Sequence, residues 1–273
     1  MRDAVRNAFY AFNLPMEGAV PWLYQDVKGL VSIGVGILCD PIVLAMNLPL
    51  VRPDGSPASQ SDIVNEWRRI KQLPPNAAGQ TAAQLGHTYA RRFTTLRLTD
   101  EGLRATLERK LDGMAVYLGR KRFPSFDTWP CDAQLGVLSL SWACGPAFHF
   151  PKLAIALQSR DWETAAVECF MPEERTISGL RPRNRANRLL FRNAAFVEES
   201  GWSPDTLFYP KDLHAPVNLT ADTEPPRSSE TSRVEVPAVR TPPLQSKTVV
   251  DFAIVRQLYP LEDPKDGGDD GAA

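Results

Sequence analysis

The chain has 273 residues and a mass of 30.3 kDa, enough for one large domain with an appendage. Hydrophobic residues make up 43% and charged residues 23%, so a real core can be buried and a wholly disordered chain is excluded. A formal net charge of −1 supplies no field for nucleic acid.

The first twenty residues mix charges into their apolar positions, which is not the pattern of a secretory signal. Residues 1–14 read as an amphipathic helix, with Val5, Phe9 and Phe12 on one face and Pro15 expected to end it. Glu17 then falls on a loop. A β-hairpin follows, with Leu23-Tyr24 leading in, a turn near Gly29, and Leu30 to Ile37 returning. Val31, Ile33 and Val35 alternate there with Ser32, Gly34 and Gly36, so one face is apolar and the other nearly bare. Residues 29–51 are long and apolar, but Asp40, Pro41 and Pro49 break them, so no membrane span is expected. Residues 47–80 read as irregular apart from a short helix over 61–71 capped by Ser61 or Asp62. Thr99-Asp100-Glu101 opens a helix whose Leu103, Leu107, Leu111, Met114 and Leu118 share a face.

Residues 131–143 are almost wholly apolar and read as a buried central helix ending at Gly145-Pro146. Residues 153–158 and 162–170 form a helix pair, and 184–198 a further helix that is basic on one side. After Leu213 periodicity stops. Residues 215–273 hold 6 Lys/Arg, 10 Asp/Glu and 8 of the 24 prolines, and 215–247 read as disordered; residues 248–261 are an apolar island within this tail. Cys39, Cys131, Cys144 and Cys169 form no CxxC pair and His87, His149 and His214 lie far apart, so no metal site and no cofactor is expected. Buried free thiols are the simplest reading, with one disulfide open in an oxidising compartment.

Chemistry concentrates in Glu17, Asp26 and Ser32. Asp26 and Ser32 are placed symmetrically about Gly29, so a hairpin turning there would set them face to face. Two carboxyls flanking a gap suit glycosidic cleavage: one protonates the leaving oxygen, the other activates water or stabilises the cationic sugar. The spacing by itself is weakly specific.

The residues around it add more. The run M-E-G-x5-Y-x-D-x2-G-x2-S-I-G-V-G resembles the active-site segment of the phage-type lysozymes, the endolysin muramidases. There the pattern is Glu, eight residues, Asp, five residues, Thr, then Ile-Gly-x-Gly; Glu17, Asp26, Ser32, Ile33, Gly34 and Gly36 fit it without a gap. Residues 139–145, 161–168 and 184–188 are similar to three later family blocks, in family order, so the resemblance covers about 1–200. It departs at Ser32 for Thr and at Ile37, where the family often has His.

The resemblance implies an α+β, mostly helical, two-lobed domain over 1–213, with one small β-hairpin at the active site and extra length within about 39–98, followed by the tail 214–273. It implies Glu17 as general acid, Asp26 as second carboxylate, and Ser32 as the hydroxyl that holds water. Arg185 would pair with Glu17, Arg188 would be the second arginine of that helix, and Leu38 and Trp142 would line the substrate site. The family inverts, so the carboxyls should lie roughly 6.5–9.5 Å apart. The expected activity is a lysozyme-type hydrolysis of the β-1,4 bond between N-acetylmuramic acid and N-acetylglucosamine, with bacterial peptidoglycan as partner. A catalytically inert peptidoglycan-binding module stays open beside it. So does delivery from the cytoplasm to the periplasmic wall: holin-dependent release for an endolysin, or a secretion carrier and an immunity protein for an antibacterial effector.

Overall fold

The computed structural model describes residues 1–175, 177 and 179–214. The tail from 215 onward, including the apolar island 248–261, lies outside the described residues. The fold is mostly helical α+β with two small antiparallel sheets.

Helix α1 (Asp3–Glu17) runs through Pro15 and ends at Glu17, which is helical and does not sit on a loop. A proline lacks the N–H that would bond to the preceding turn, and its ring crowds the carbonyl four residues back. Here the last turn is held by Gly18, whose N–H donates to the Leu14 carbonyl at 2.9 Å while Gly18 takes φ 69°. Val5, Phe9, Asn13 and Glu17 recur every four residues and are all buried, so one inward stripe changes from apolar to polar along its length.

The expected single hairpin is a three-stranded sheet, β1 (Val20–Gln25), β2 (Val31–Gly34) and β3 (Ile37–Leu38), in the order β1-β2-β3. The returning chain splits because Gly34 and Gly36 both take positive φ, 65° and 75°, and reverse it a second time. Tyr24 pairs with Ser32 and Gln25 with Val31, so the register centres on Lys28. Asp26 therefore stands opposite Leu30, not Ser32, and its N–H donates to the Leu30 carbonyl at 2.8 Å. Gly29, at φ 71°, closes the loop instead of sitting at its middle.

Strands β4 (Leu50–Val51) and β5 (Arg97–Leu98) form the second sheet. Between them lie α2 (Gln60–Lys71) and α3 (Ala82–Ala90). Ser59, two residues before the expected cap, starts α2 through a reciprocal capping box with Asp62. Thr81 and Gln84 do the same for α3. Helix α4 (Asp100–Tyr117) is capped by Thr99 as expected.

Helix α5 (Cys131–Cys144) is buried at every position, as its unbroken apolar run predicts, and ends at Gly145 with φ 84°. It packs on α1, α4 and α8 (Leu180–Glu199). At its crossing with α8 a Cβ on Gly136 would lie 3.0 Å from the Phe191 ring, so the absence of a side chain sets the approach. Helices α6 (Pro151–Ser159) and α7 (Trp162–Glu168) pack on each other, and α7 also packs against α8. One buried cluster joins the sheet residues Leu23, Val31 and Ile33 to the helical residues Leu138, Leu190 and Ala194. The buried Asp132 carboxylate accepts from Phe208 N, Tyr209 N and Asn193 Nδ2, which fastens the last described segment to α5.

Among the described residues no helix is long and apolar enough to cross a membrane. All four cysteines are free and buried.

Candidate active site

Glu17 is 5% exposed at the C-terminal end of α1. Its Oε1 accepts from Arg183 Nη2 at 2.7 Å, and the Arg183 side chain is wholly buried. Arg183 Nη2 also donates to Asn13 Oδ1 at 3.0 Å, and its Nη1 donates to the Ser139 carbonyl at 3.1 Å and Ser139 Oγ at 3.0 Å. One planar guanidinium thus ties α8 to α1 and α5 around a single carboxylate. Burial pushes the Arg183 guanidinium below its ordinary value, while the Glu17 charge pulls it back up.

The expected partner, Arg185, is exposed, and its charge acts on Glu174. Arg188 is exposed too. The physical reason is helical phase. Helix α8 begins at Leu180, four residues earlier than the apolar pattern indicates, and positions 183 and 185 lie about 200° apart around it. Arg183 shares the inward stripe with Asn187, Leu190 and Ala194, all buried.

Gly36 of the Ser-Ile-Gly-Val-Gly run lies against the Glu17 carboxylate: a Cβ there would stand 3.4 Å from Glu17 Oε2. Lys110 of α4 reaches the same place, with Nζ 3.5 Å from the Gly36 carbonyl and 3.9 Å from the centroid of the Trp142 ring. Trp142 itself is 2% exposed, lies tilted at 48° against Phe9 with centroids 5.3 Å apart, and donates its Nε1–H to the Val35 carbonyl at 3.3 Å. It therefore buttresses the Val35–Gly36 turn from inside and does not offer an open ring to a sugar.

Asp26 is 6% exposed, and its Oδ1 accepts from Lys28 N and Leu30 N, both at 2.9 Å. The carboxylate builds the turn that carries it. Helix α2 clamps the same turn. Lys71 Nζ donates to the Gly29 carbonyl at 2.8 Å and to Asp40 Oδ2 at 2.7 Å, and Gln25 Nε2 donates to the Ile70 and Lys71 carbonyls at 2.7 and 3.1 Å. Ser32, 5% exposed, lies between Tyr24 and Leu38 in the register, and Leu38 is half-buried. Glu17, Gly36 and Arg183 are thus brought together. Asp26 and Ser32 sit on the turn and strand of the adjoining sheet, Trp142 lies behind the Val35–Gly36 turn and is buried, and Arg185 and Arg188 are exposed on α8.

Sequence reasoning misses Arg183, Asn13, Ser139 and Lys110. The signal for Asn13 and Arg183 was available: each falls in phase with a buried apolar stripe, where a polar residue needs a partner. Nothing local marks Lys110, whose partners come from a turn 74 positions away.

Among the described residues no group of three or more His, Cys, Asp or Glu is placed to hold a metal ion. Comparisons with protein-family models and with curated proteins find no match for this chain.

Proposed function

We propose that the protein is a lysozyme-type peptidoglycan hydrolase of the phage-type muramidase class, with a two-lobed domain and its site at the sheet that follows α1. One observation carries this reading: Glu17 is a carboxyl removed from water, held by a buried guanidinium at a helix end, and it lies directly against the second glycine of the Ile-Gly-x-Gly run. Burial and the guanidinium act on such a carboxyl in opposite senses, the first favouring the neutral acid and the second the anion. A general acid must pass between those two forms.

In this reading Glu17 gives its proton to the glycosidic oxygen as the bond from the muramic-acid C1 breaks. Water held by Asp26 and the Ser32 hydroxyl attacks C1 from the opposite face and passes its proton to Asp26, which inverts the anomeric centre. Arg183 orients Glu17. Arg183 does so from Ser139 and Asn13, so the acid is fixed by α5, α8 and its own helix together. The protein would act on the wall in the periplasm, reached by a holin-dependent or secretion-dependent route, and would need no cofactor.

The test is digestion of purified peptidoglycan followed by analysis of the new chain ends. Reducing muramic-acid ends of inverted configuration support the reading. Intact strands after prolonged incubation with folded protein overturn it.

A further inference from the structure

Arg91 and Arg97 both lie over one indole. Each guanidinium carbon lies 5.2 Å from the centroid of the Trp22 ring on β1. The indole is fixed by its Nε1–H, which donates to the His87 carbonyl at 2.9 Å. Among the described residues neither arginine forms an ion pair; Arg97 donates only to Thr94 Oγ1, the Thr94 carbonyl and the Leu96 carbonyl. Burial pushes the Arg97 guanidinium below its ordinary value, the Glu66 charge raises it, and the Arg91 charge lowers it again. Glu66 cannot serve as the missing anion, because it is 1% exposed and its carboxylate accepts from Thr95 N, Thr95 Oγ1 and Leu96 N. Arg91 is exposed, while Trp22 and Arg97 are half-buried.

This cationic pair is continuous with the candidate site. Residues directly opposite in an antiparallel sheet point to the same side. Leu38, Ser32 and Tyr24 are such neighbours across β3, β2 and β1. The His87 ring lies 6.1 Å from Tyr24 and 6.2 Å from Trp22, so the same face continues from Tyr24 through His87 to Trp22 and its two arginines. The opposite face holds Leu23, Val31 and Ile33 and is closed in the core. His87 belongs to α3 and the arginines to the segment between α3 and α4, all within or at the edge of the extra length between 39 and 98.

We propose that Arg91 and Arg97, aligned on Trp22, form an outlying subsite for a carboxylate of the short peptides borne by the glycan strand. The inference rests on the hydrolase reading and names the part of the substrate that this added segment recognises. An uncharged sugar gives no return for holding two like charges together. A carboxylate accepts from guanidinium N–H groups, and the edge of the indole offers contact to the apolar part of the peptide. The strand bears both its sugars and its peptide carboxylates on one polymer, so a carboxylate can seat beside Trp22 while the glycan passes Ser32.

The experiment uses the full chain and two soluble probes: glycan strands that keep their peptides, and the same strands stripped of them by an amidase, with the lactyl carboxyls so freed then capped as amides. The Arg91→Gln/Arg97→Gln double variant should lose about tenfold in kcat/KM on the peptide-bearing strands, mainly through KM, and keep wild-type rates on stripped strands. Arg91→Gln alone, an exposed change outside the Thr94–Leu96 hydrogen bonds, should move in the same direction with an unchanged melting temperature. Equal losses on both probes, or none on either, overturn the subsite while hydrolysis stands. If folded wild type cleaves neither probe, the hydrolase reading falls and the subsite falls with it.

Discussion

Arg183 and Glu17 stand 166 positions apart in the chain and meet as a buried ion pair at 2.7 Å, with side-chain exposures of 0% and 3%. Removing one partner strands the other charge away from water. Arg183→Ala should therefore cost about 3–5 kcal/mol of unfolding free energy, whereas the exposed Arg185→Ala should stay within about 0.5 kcal/mol of wild type. Urea unfolding of both variants checks this. Equal stabilities would mean that Arg183 is not the buried partner.

Asp26 combines a backbone duty with a proposed chemical one, and two substitutions separate them. Asn keeps an oxygen for the Lys28 and Leu30 amides and removes the charge. Asp26→Asn should therefore hold its melting temperature and lose most of its lytic rate. Asp26→Ala should also lose about 1–2 kcal/mol, since both amides are left without their acceptor. Thermal melts beside a wall-lysis assay decide the point.

Much of this arrangement was legible from residue order, and the misses have common causes. Unbroken apolar runs and cap residues marked α5 and the start of α4, because local propensity and burial agree there. Pro15 signals a helix end, yet the chain stays helical to Glu17, where the Gly18 N–H anchors the last turn on the Leu14 carbonyl. The hairpin register differs by one residue from the symmetric reading because a positive-φ glycine marks the end of a three-residue loop as readily as its middle. The motif points to Arg185, whereas helical phase turns Arg183 inward. The fold supplied what no local pattern holds, including the clamp of Lys71 on the Gly29 turn and the seat of Lys110 over Trp142.

Two glycines test the crowding at Glu17. Gly36 and Gly55 both take positive φ, 75° and 82°, so an alanine at either should cost about 1–2 kcal/mol in backbone strain. Only at Gly36 does the new Cβ meet Glu17, since nothing lies within 4 Å of Gly55. Gly36→Ala should depress hydrolysis well beyond its loss of stability, and Gly55→Ala should leave hydrolysis unchanged. Matched kinetics for the two variants would remove Gly36 from the site.

Burial pushes the thiols of Cys39, Cys144 and Cys169 up to about 12 and that of Cys131 up to about 11, from an ordinary 9. These groups stay protonated in the folded chain while the unfolded chain ionises them first. Stability should hold below about pH 9 and fall as pH rises from there towards about 12. Unfolding free energies across that range, with thiol labelling that proceeds only on unfolding, check the sign. Replacing Cys39 by Ala should flatten the alkaline decline.

The central claim is that Glu17 is the acid that cleaves the glycan. The most direct measurement is the rate at which new reducing ends appear in purified peptidoglycan, for wild type and for Glu17→Gln at matched folded concentration. Glutamine keeps the shape and an oxygen for Arg183 but carries no transferable proton. The rate should fall at least about a hundredfold, the scale of a lost general acid. A variant that keeps more than about a tenth of the wild-type rate would contradict it, because a site robbed of its proton donor cannot run the same chemistry that well.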